Sequence, residues 1–206
     1  MRHLNNIALV LLFSLPLKLY ADPAQELAIL LESLNSMQAT FEQTTLNSDG
    51  DTINTSRGNL ALKNGGYFRI ETTEPFPQLL IADGKDFYSF DADLEQVIVK
   101  TLERDVKQVP ILLFGNSDQS FLQDYHVTQV DEKTHSQFIL EPQTAEGIFE
   151  LLVLKFRGAN PSSMVMRDSL GQTTEIKLSV LTVNTEIADS EFDFLIPKGI
   201  DLIDDR

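Results

Sequence analysis

The sequence predicts a mainly β protein with a few short helices, built on a strongly curved antiparallel sheet or a half-closed barrel. Short apolar runs alternate with turn motifs along most of the chain, as in residues 75–99, where Asp83-Gly84 separates two β-rich runs. The spacing between runs leaves no room for the crossover helix that parallel neighbours require. One amphipathic helix and a later apolar cluster remain to cover the sheet.

The first residues have the pattern of a cleaved secretory signal peptide. Arg2 precedes the apolar run Ile7–Leu15, and the small residue Ala21 stands at the expected cleavage point. A membrane anchor is the alternative, but this run is shorter than the about 20 apolar residues that span a bilayer. We therefore expect residues 1–21 to be removed on export and residues 22–206 to form a single domain.

The expected mature chain is strongly acidic and has no cysteine. The 16 basic residues include Arg2 and Lys18 of the signal, which leaves 14 against 31 acidic side chains and a net charge of −17. Such a charge opposes binding to nucleic acid or to anionic membranes. It can guide docking onto basic partners, and solubility is an equally good explanation. Without cysteine the domain has neither a disulfide nor a lipid on an N-terminal cysteine.

A helix is predicted directly after the signal. Asp22 can cap it and Pro23 can occupy its first turn. Apolar residues recur at three- and four-residue spacing and so share one face: Leu27, Leu30, Leu31, Leu34 and Met37. Because an isolated amphipathic helix is marginal in water, this one must lie on another apolar surface.

The period changes to two from Thr40, which predicts strands and tight turns as far as about Lys100. Turn residues interrupt this first series at Asn47–Asp51, Asn64-Gly65-Gly66 and Asp83-Gly84. A second series of strands is predicted at Tyr125–Val130, Gln137–Leu140, Phe149–Phe156, Ser163–Asp168 and Thr173–Val180.

Two shorter segments fall outside these series. Pro110–Gly115 is an apolar cluster closed by a glycine, which indicates a short helix or a mobile apolar loop. Near the C-terminus, Phe192-Asp193-Phe194 alternates once more and resembles a further strand.

Residues with catalytic or metal-binding patterns are not apparent. His126 and His135 are the histidines of the expected mature chain, and their spacing matches no usual zinc motif. Asp91-x-Asp93 is a fragment of a cation site, but acidic residues are common in turns. No nucleophile elbow, phosphate loop or dinucleotide fingerprint occurs. We expect no catalytic residue and no metal, although the 31 carboxylates keep a hydrolase as a remote alternative.

Motifs along the chain resemble the LolA family, periplasmic carriers that take lipoproteins from the inner to the outer membrane. The likeness lies in their order and spacing and runs from Leu27 through Phe41-x-Gln43, Gly58-x-Leu60, Tyr67-Phe68-Arg69, Ile81-Ala82-Asp83-Gly84, Asp93-Leu94-Glu95-Gln96-Val97, Asp168-x-x-Gly171-Gln172, Phe192-x-Phe194 and Pro197-Lys198-Gly199-Ile200-Asp201.

The resemblance implies an unclosed antiparallel β-barrel whose apolar concave side is covered by a lid of helices, with acyl chains held between. It also implies a monomer located in the periplasm, with acylated lipoproteins as cargo. Loading would be driven by the inner-membrane transporter LolCDE, and delivery would be to the outer-membrane receptor LolB. The chain itself would need no nucleotide or other cofactor.

The resemblance also suggests which residues would meet the lipid. Period-two parity places Phe68 and Ile70 on one face of their strand. Motif position and apolarity add Leu80, Leu102, Ile111, Leu112 and Phe114 to this predicted lipid-binding set. The lid would be the apolar face of the first helix, formed by Leu27, Leu30, Leu31 and Leu34. An ordinary core would show the same patterns.

One departure concerns the lid latch. Many family members carry Arg-Pro where this sequence has Asn64-Gly65, and that arginine is associated with hydrogen bonds that close the lid. Asn64 is shorter and uncharged, so closure would be weaker here or would depend on other residues. Tryptophans of the family's sheet are replaced by Ile70 and Phe87-Tyr88.

Two other binding functions fit the same fold. LolB shares it but is anchored by an acylated cysteine, which this chain lacks. A lipid- or lipoprotein-sensing module, as in some envelope stress regulators, would use the same half-barrel to detect lipid. Co-purification separates a carrier from a sensor, because a carrier yields a soluble complex with lipoprotein.

Overall fold

The computed structural model describes residues 22–102, 110–115, 119–144 and 149–206. The expected signal peptide, 1–21, lies outside them. The strands of the described residues are β1 (Ser36–Leu46), β2 (Thr52–Lys63), β3 (Tyr67–Glu74), β4 (Gln78–Asp83), β5 (Asp86–Asp91), β6 (Gln96–Thr101), β7 (Tyr125–Asp131), β8 (Ser136–Pro142), β9 (Phe149–Arg157), β10 (Asn160–Asp168), β11 (Thr173–Val183) and β12 (Asp201–Asp205). The helices there are α1 (Pro23–Glu32) and the 3₁₀ helices Pro110–Gly115, Ser120–Asp124 and Asp189–Phe192.

These strands form one sheet in the order β12-β6-β5-β4-β3-β2-β1-β11-β10-β9-β8-β7. Two antiparallel meanders meet where β1 pairs with β11. The sheet stays open, since β12 and β7 form its two edges. The predicted unclosed antiparallel sheet is thus confirmed, with one exception: β12 runs parallel to β6, with Leu202 opposite Val97. The sequence pattern did not predict this edge strand.

Local turn chemistry forms the predicted hairpins. Between β4 and β5, the Asp83 carboxylate accepts the backbone N–H groups of Lys85 and Asp86 at 3.0 and 2.8 Å. Gly84 takes φ +87°, which a side chain would disfavour. Between β10 and β11, Asp168 closes the turn in the same way. Each turn is fixed by its own residues, which is why the sequence predicts these hairpins well.

Helix α1 begins as predicted and ends early. Asp22 caps it by accepting the Ala24 N–H at 3.0 Å, and Pro23 is its first residue. The helix ends at Glu32, so the placement of Leu34 and Met37 on it was wrong: Leu34 lies in the connection and Met37 in β1. Both remain buried, because the chain turns back onto the same apolar cluster. The helices of the described residues are all too short or too polar to cross a membrane.

Strand pairing is irregular at two places in this part of the sheet. Register shifts interrupt β1 between Gln38 and Ala39, and the β2–β3 pair between Arg57 and Gly58. At Gly58 a Cβ atom would lie 2.0 Å from the carbonyl oxygen of Glu71. Glycine therefore permits the close approach of β2 and β3 at this register shift.

The two faces of the sheet are covered differently. On the concave face, α1 and the 3₁₀ helix Pro110–Gly115 join the main apolar cluster. On the convex face, Phe192 packs on Tyr67 with ring centroids 5.6 Å apart, and Phe194 packs on Tyr88 at 5.5 Å. The prediction of a strand at Phe192-Asp193-Phe194 was wrong, because Phe192 ends a 3₁₀ helix and the two rings cover the outside of the sheet.

Candidate functional site

A cavity of about 460 Å³ opens on the concave face of the sheet. Its apolar part is formed by strands β1 to β4 and β9 to β11, by the turn between β3 and β4 and by the 3₁₀ helix Pro110–Gly115. The apolar side chains that line it are Phe41, Leu60, Ile70, Pro75, Phe76, Leu80, Ile111, Phe149, Met166 and Ile176. The period-two alternation of each strand brings its members of this set to one face, as the sequence pattern implied. The result is a continuous apolar surface that is only partly filled.

The predicted lipid-binding residues divide between this cavity and the packed region beside it. Ile70, Leu80 and Ile111 line the cavity. The others lie in the main apolar cluster: Phe68, Leu112 and Phe114 are buried in it, and Leu102 packs against it. The Phe68 ring lies 5.8 Å from that of Phe87, centroid to centroid. All seven therefore belong to one apolar interior, but not to one open space.

Polar side chains that were not predicted from the sequence form the rest of the cavity lining. We call them the polar arc: Gln43, Asn54, Ser56, Thr72, Gln78 and Thr174. They occupy the same alternating positions as the apolar lining, but nearer the β1–β2 turn. Because polar residues at alternating positions usually mark a solvated face, the sequence pattern could not distinguish them. Among the described residues that line the cavity, none is charged.

Helix α1 covers the part of the concave face beyond the cavity. Leu27 and Leu31 are 0% and 1% exposed, and Leu30 packs partly buried against the same cluster. Burying each such side chain contributes about 1.5–3 kcal/mol. Toward its N-terminal end, the helix is tied to β7 by one side-chain bond, in which Gln129 Nε2 donates to Glu26 Oε1 at 3.0 Å. Apolar packing therefore holds α1 in place, with few polar bonds to break.

The predicted latch residue, Asn64, bonds to the connection between α1 and β1. Its Nδ2 donates to Oδ1 of Asn35 at 3.2 Å, and its backbone N–H donates to the Asn35 carbonyl at 2.9 Å. Asn184 supports the same connection, since its Oδ1 accepts the Asn35 N–H at 2.7 Å and its Nδ2 donates to the Ser33 carbonyl at 2.8 Å. Three asparagines thus fix the point where α1 joins the sheet.

The groups considered for chemistry have ordinary structural roles here. Asp91 accepts the backbone N–H groups of Asp93 and Leu94, each at 3.0 Å, and so serves a turn. His126 is exposed, and His135 lies beside Thr134. The described residues contain no cluster of three potential metal ligands. Burial and the nearby Asp124 carboxylate raise the pKa of the Tyr125 phenol, which stays neutral beside the apolar cluster.

Comparisons with known proteins agree with this geometry. The family model "Outer membrane lipoprotein carrier protein LolA" matches residues 32–195. Proteins named outer-membrane lipoprotein carrier protein are similar over nearly their whole length. The relative from Chromohalobacter salexigens is 35% identical over 92% of this chain and 91% of its own, and that from Pseudomonas syringae pv. tomato is 34% identical over 96% of each.

Solved structures share the fold at low sequence identity. An uncharacterised conserved protein from Thermus thermophilus superposes with a TM-score of 0.58, at 14% identity over 88% of this chain and 98% of its own. A chain of the Pseudomonas aeruginosa MucA/MucB complex gives a TM-score of 0.52 at 17% identity, over 84% of this chain and 61% of its own. The family match and the close relatives carry the assignment: this chain belongs to the outer membrane lipoprotein carrier protein LolA family.

Proposed function

We propose that this protein carries lipoproteins between the two membranes, holding their acyl chains against the concave face of the sheet. The observation that carries the proposal is the apolar concave surface, which short helices cover and which keeps an uncharged cavity of about 460 Å³. Close relatives named as outer-membrane lipoprotein carriers support it. The chain would act as a binding protein in the periplasm, with no catalytic step of its own.

The lid explains how such a carrier could load and release. Exposing acyl chains to water costs about 0.8 kcal/mol per methylene, so the cargo must exchange membrane contacts for protein contacts. A cavity of about 460 Å³ is in the range that suits one small ligand. Several long acyl chains need more room, which displacement of α1 would provide. Loading then replaces contacts of Leu27 and Leu31 with contacts to lipid, and the net affinity stays moderate.

We further propose the two membrane partners of the family for this chain. LolCDE would supply the energy for loading, and LolB would accept the cargo. An acidic chain of net charge −15 is suited to docking on basic surfaces and is repelled by anionic lipid. The carrier would therefore approach the membrane through its protein partners. Membranes with and without LolB, offered a loaded carrier, test this step directly.

Release of lipoproteins from spheroplasts tests the carrier function. The chain without residues 1–21 is incubated with spheroplasts, and newly made lipoproteins are followed into the soluble fraction. We expect a soluble complex of carrier and lipoprotein. Phe68→Glu places a charge in the apolar interior and should abolish release. Ser179→Glu is the matched control, because it adds the same charge at an exposed position and should release normally.

The same experiment separates the alternatives. A sensor on the same fold would leave lipoproteins in the membrane while still binding them. An enzyme would change the lipoprotein covalently, which mass spectrometry of the released material detects. Lipoproteins that stay in the membrane with the unaltered chain would refute the carrier proposal.

A further inference from the structure

The polar arc lies toward one end of the cavity, where Phe76 and Met166 also contribute to the lining, and its level is staggered from strand to strand. In the β3–β4 pair, Thr72 faces Gln78, and one alternation further in, Ile70 faces Leu80. The lining therefore changes from apolar to polar at one level across these strands. An amphiphilic ligand would lie with its chains toward Ile70 and Leu80 and its head toward Thr72 and Gln78.

On the neighbouring strands the polar positions lie further toward the β1–β2 turn, since Thr72 is level with Phe41 and Gln43 is opposite Ile176. Gln43 on β1 is opposite Ser56 on β2, and Thr174 on β11 places its hydroxyl oxygen 3.2 Å from that of Thr45. In the part of the chain that the structure describes, the side chains of Gln43 and Ser56 bond to no other protein group, nor do those of Asn54, Thr72 and Gln78. These amides and hydroxyls can therefore donate hydrogen bonds to a ligand.

The arc is uncharged, although the chain contains 16 basic and 31 acidic residues. None of the described side chains around the cavity could neutralise a phosphate. Burying an unpaired charge costs far more than burying a carbonyl that accepts a hydrogen bond. The net charge of −15 adds repulsion of anionic lipid. The site thus favours acyl chains joined to a neutral polar group.

We propose that the polar arc binds the uncharged ester and amide carbonyls through which acyl chains are joined to the cysteine of a lipoprotein, and that it excludes phospholipids by offering their phosphate no counter-charge. This inference rests on the proposed carrier function and adds a basis for cargo selection. Asn54 and Gln78 are exposed, so this end of the cavity also gives the attached polypeptide a way out. The exposed Phe76, on the same rim, adds an apolar contact there.

Displacement of an apolar dye from the chain without residues 1–21 compares two probes with identical palmitoyl chains: a synthetic diacylglyceryl-cysteine peptide whose α-amine is acetylated, and phosphatidylglycerol. We expect the peptide to bind at least about tenfold more tightly. Placing the phosphate where it has no counter-charge costs more free energy than one neutral hydrogen bond contributes. Thr72→Val should weaken peptide binding about 3- to 10-fold, the effect of one hydrogen bond. Thr55→Val, an exposed threonine of β2, is the matched control and should change neither affinity.

Gln78→Lys gives a second test at an exposed position, where misfolding is not a concern. The introduced cation should raise the affinity for phosphatidylglycerol at least about threefold and so narrow the preference for the peptide. Equal affinities of the unaltered chain for the two probes, or no response to Thr72→Val and Gln78→Lys, would overturn the inference and leave the carrier function standing. Failure to bind either probe would overturn both.

Discussion

Glu26 of α1 accepts a hydrogen bond from Gln129 of β7 across 3.0 Å, which joins the helix that covers the concave face to the strand at one edge of the sheet. At the other end of the helix, Asn184 binds the Ser33 carbonyl, where α1 stops. The two ends differ in chemistry. A single side-chain pair holds the first, while a set of asparagine bonds continuous with the sheet holds the second. The helix should therefore open at its Glu26 end and turn about Ser33.

The Glu26–Gln129 bond should limit opening of the lid. We expect Glu26→Ala to open the helix more readily, since a charged hydrogen bond of about 1.5–3 kcal/mol is lost. Binding of an apolar-surface dye to the empty protein should rise. Glu32→Ala, which removes an exposed carboxylate from the same helix, is the control and should bind the dye like the unaltered protein. Equal dye binding by both variants would mean that this bond does not restrain α1.

Removing lid packing should have a different effect from removing sheet packing. Leu154→Ala, at a fully buried position in β9, should lower the free energy of unfolding by about 2–5 kcal/mol. Leu31→Ala should lower it less, because a lid can detach while the sheet stays folded. Amide hydrogen exchange within α1 should instead accelerate. The same loss of global stability for both would make α1 a permanent part of the core.

An arginine at position 64 should act on lid closure even without the proline that follows it in many family members. Gly65 has φ +93°, which proline cannot adopt, so an Arg-Pro pair would force the turn to rebuild. Asn64→Arg alone should strengthen closure, lower dye binding and ease transfer to LolB. Asn64→Ala should do the reverse by removing its bond to Asn35, worth about 1 kcal/mol. If dye binding and transfer rate match the unaltered protein in both variants, Asn64 is an ordinary turn residue.

How far the sequence predicts this molecule depends on the range of the interactions. Turns such as Asp83-Gly84 are specified by adjacent residues, and the sequence predicts them. The β12–β6 pairing joins residues about a hundred positions apart, and the exposed, acidic β12 carries no alternation that would reveal it. The three-residue alternation at Phe192 was too short to distinguish a strand from a 3₁₀ helix with outward packing.

The candidate site shows the same limit. Alternation predicts that Phe68 and Ile70 share a face, but it does not distinguish a residue that lines a cavity from one that is packed. Ile70 lines the cavity, whereas Phe68 is covered by neighbours from distant segments. The sequence did not predict the polar arc, because polar residues at alternating positions, such as Thr72 and Gln78, are typical of a solvated face. Only the register of several strands brings them together around one cavity.

The C-terminal strand should depend on Arg206. Its guanidinium donates to the buried Asp86 carboxylate at 3.0 Å and also pairs with Asp204, whose pKa it holds below the ordinary value. Arg206→Ala should release β12 from β6, so amide exchange in 201–205 should accelerate and that in β1 should not. Lys198→Ala, an exposed lysine of the same segment, should leave exchange unaltered. Unchanged protection of β12 in Arg206→Ala would show that the backbone pairing alone holds it.

Locking the lid tests the account most directly. The chain has no cysteine, so Glu26→Cys/Gln129→Cys creates a unique pair where α1 meets β7. A short linker that a reductant cleaves joins the two thiols, and release of lipoproteins from spheroplasts is then measured before and after reduction. Each single-cysteine variant, treated in the same way, is the control. The account predicts that the linked protein releases none and that reduction restores release. Equal release in the linked and reduced states would contradict the claim that lipid enters by displacing α1.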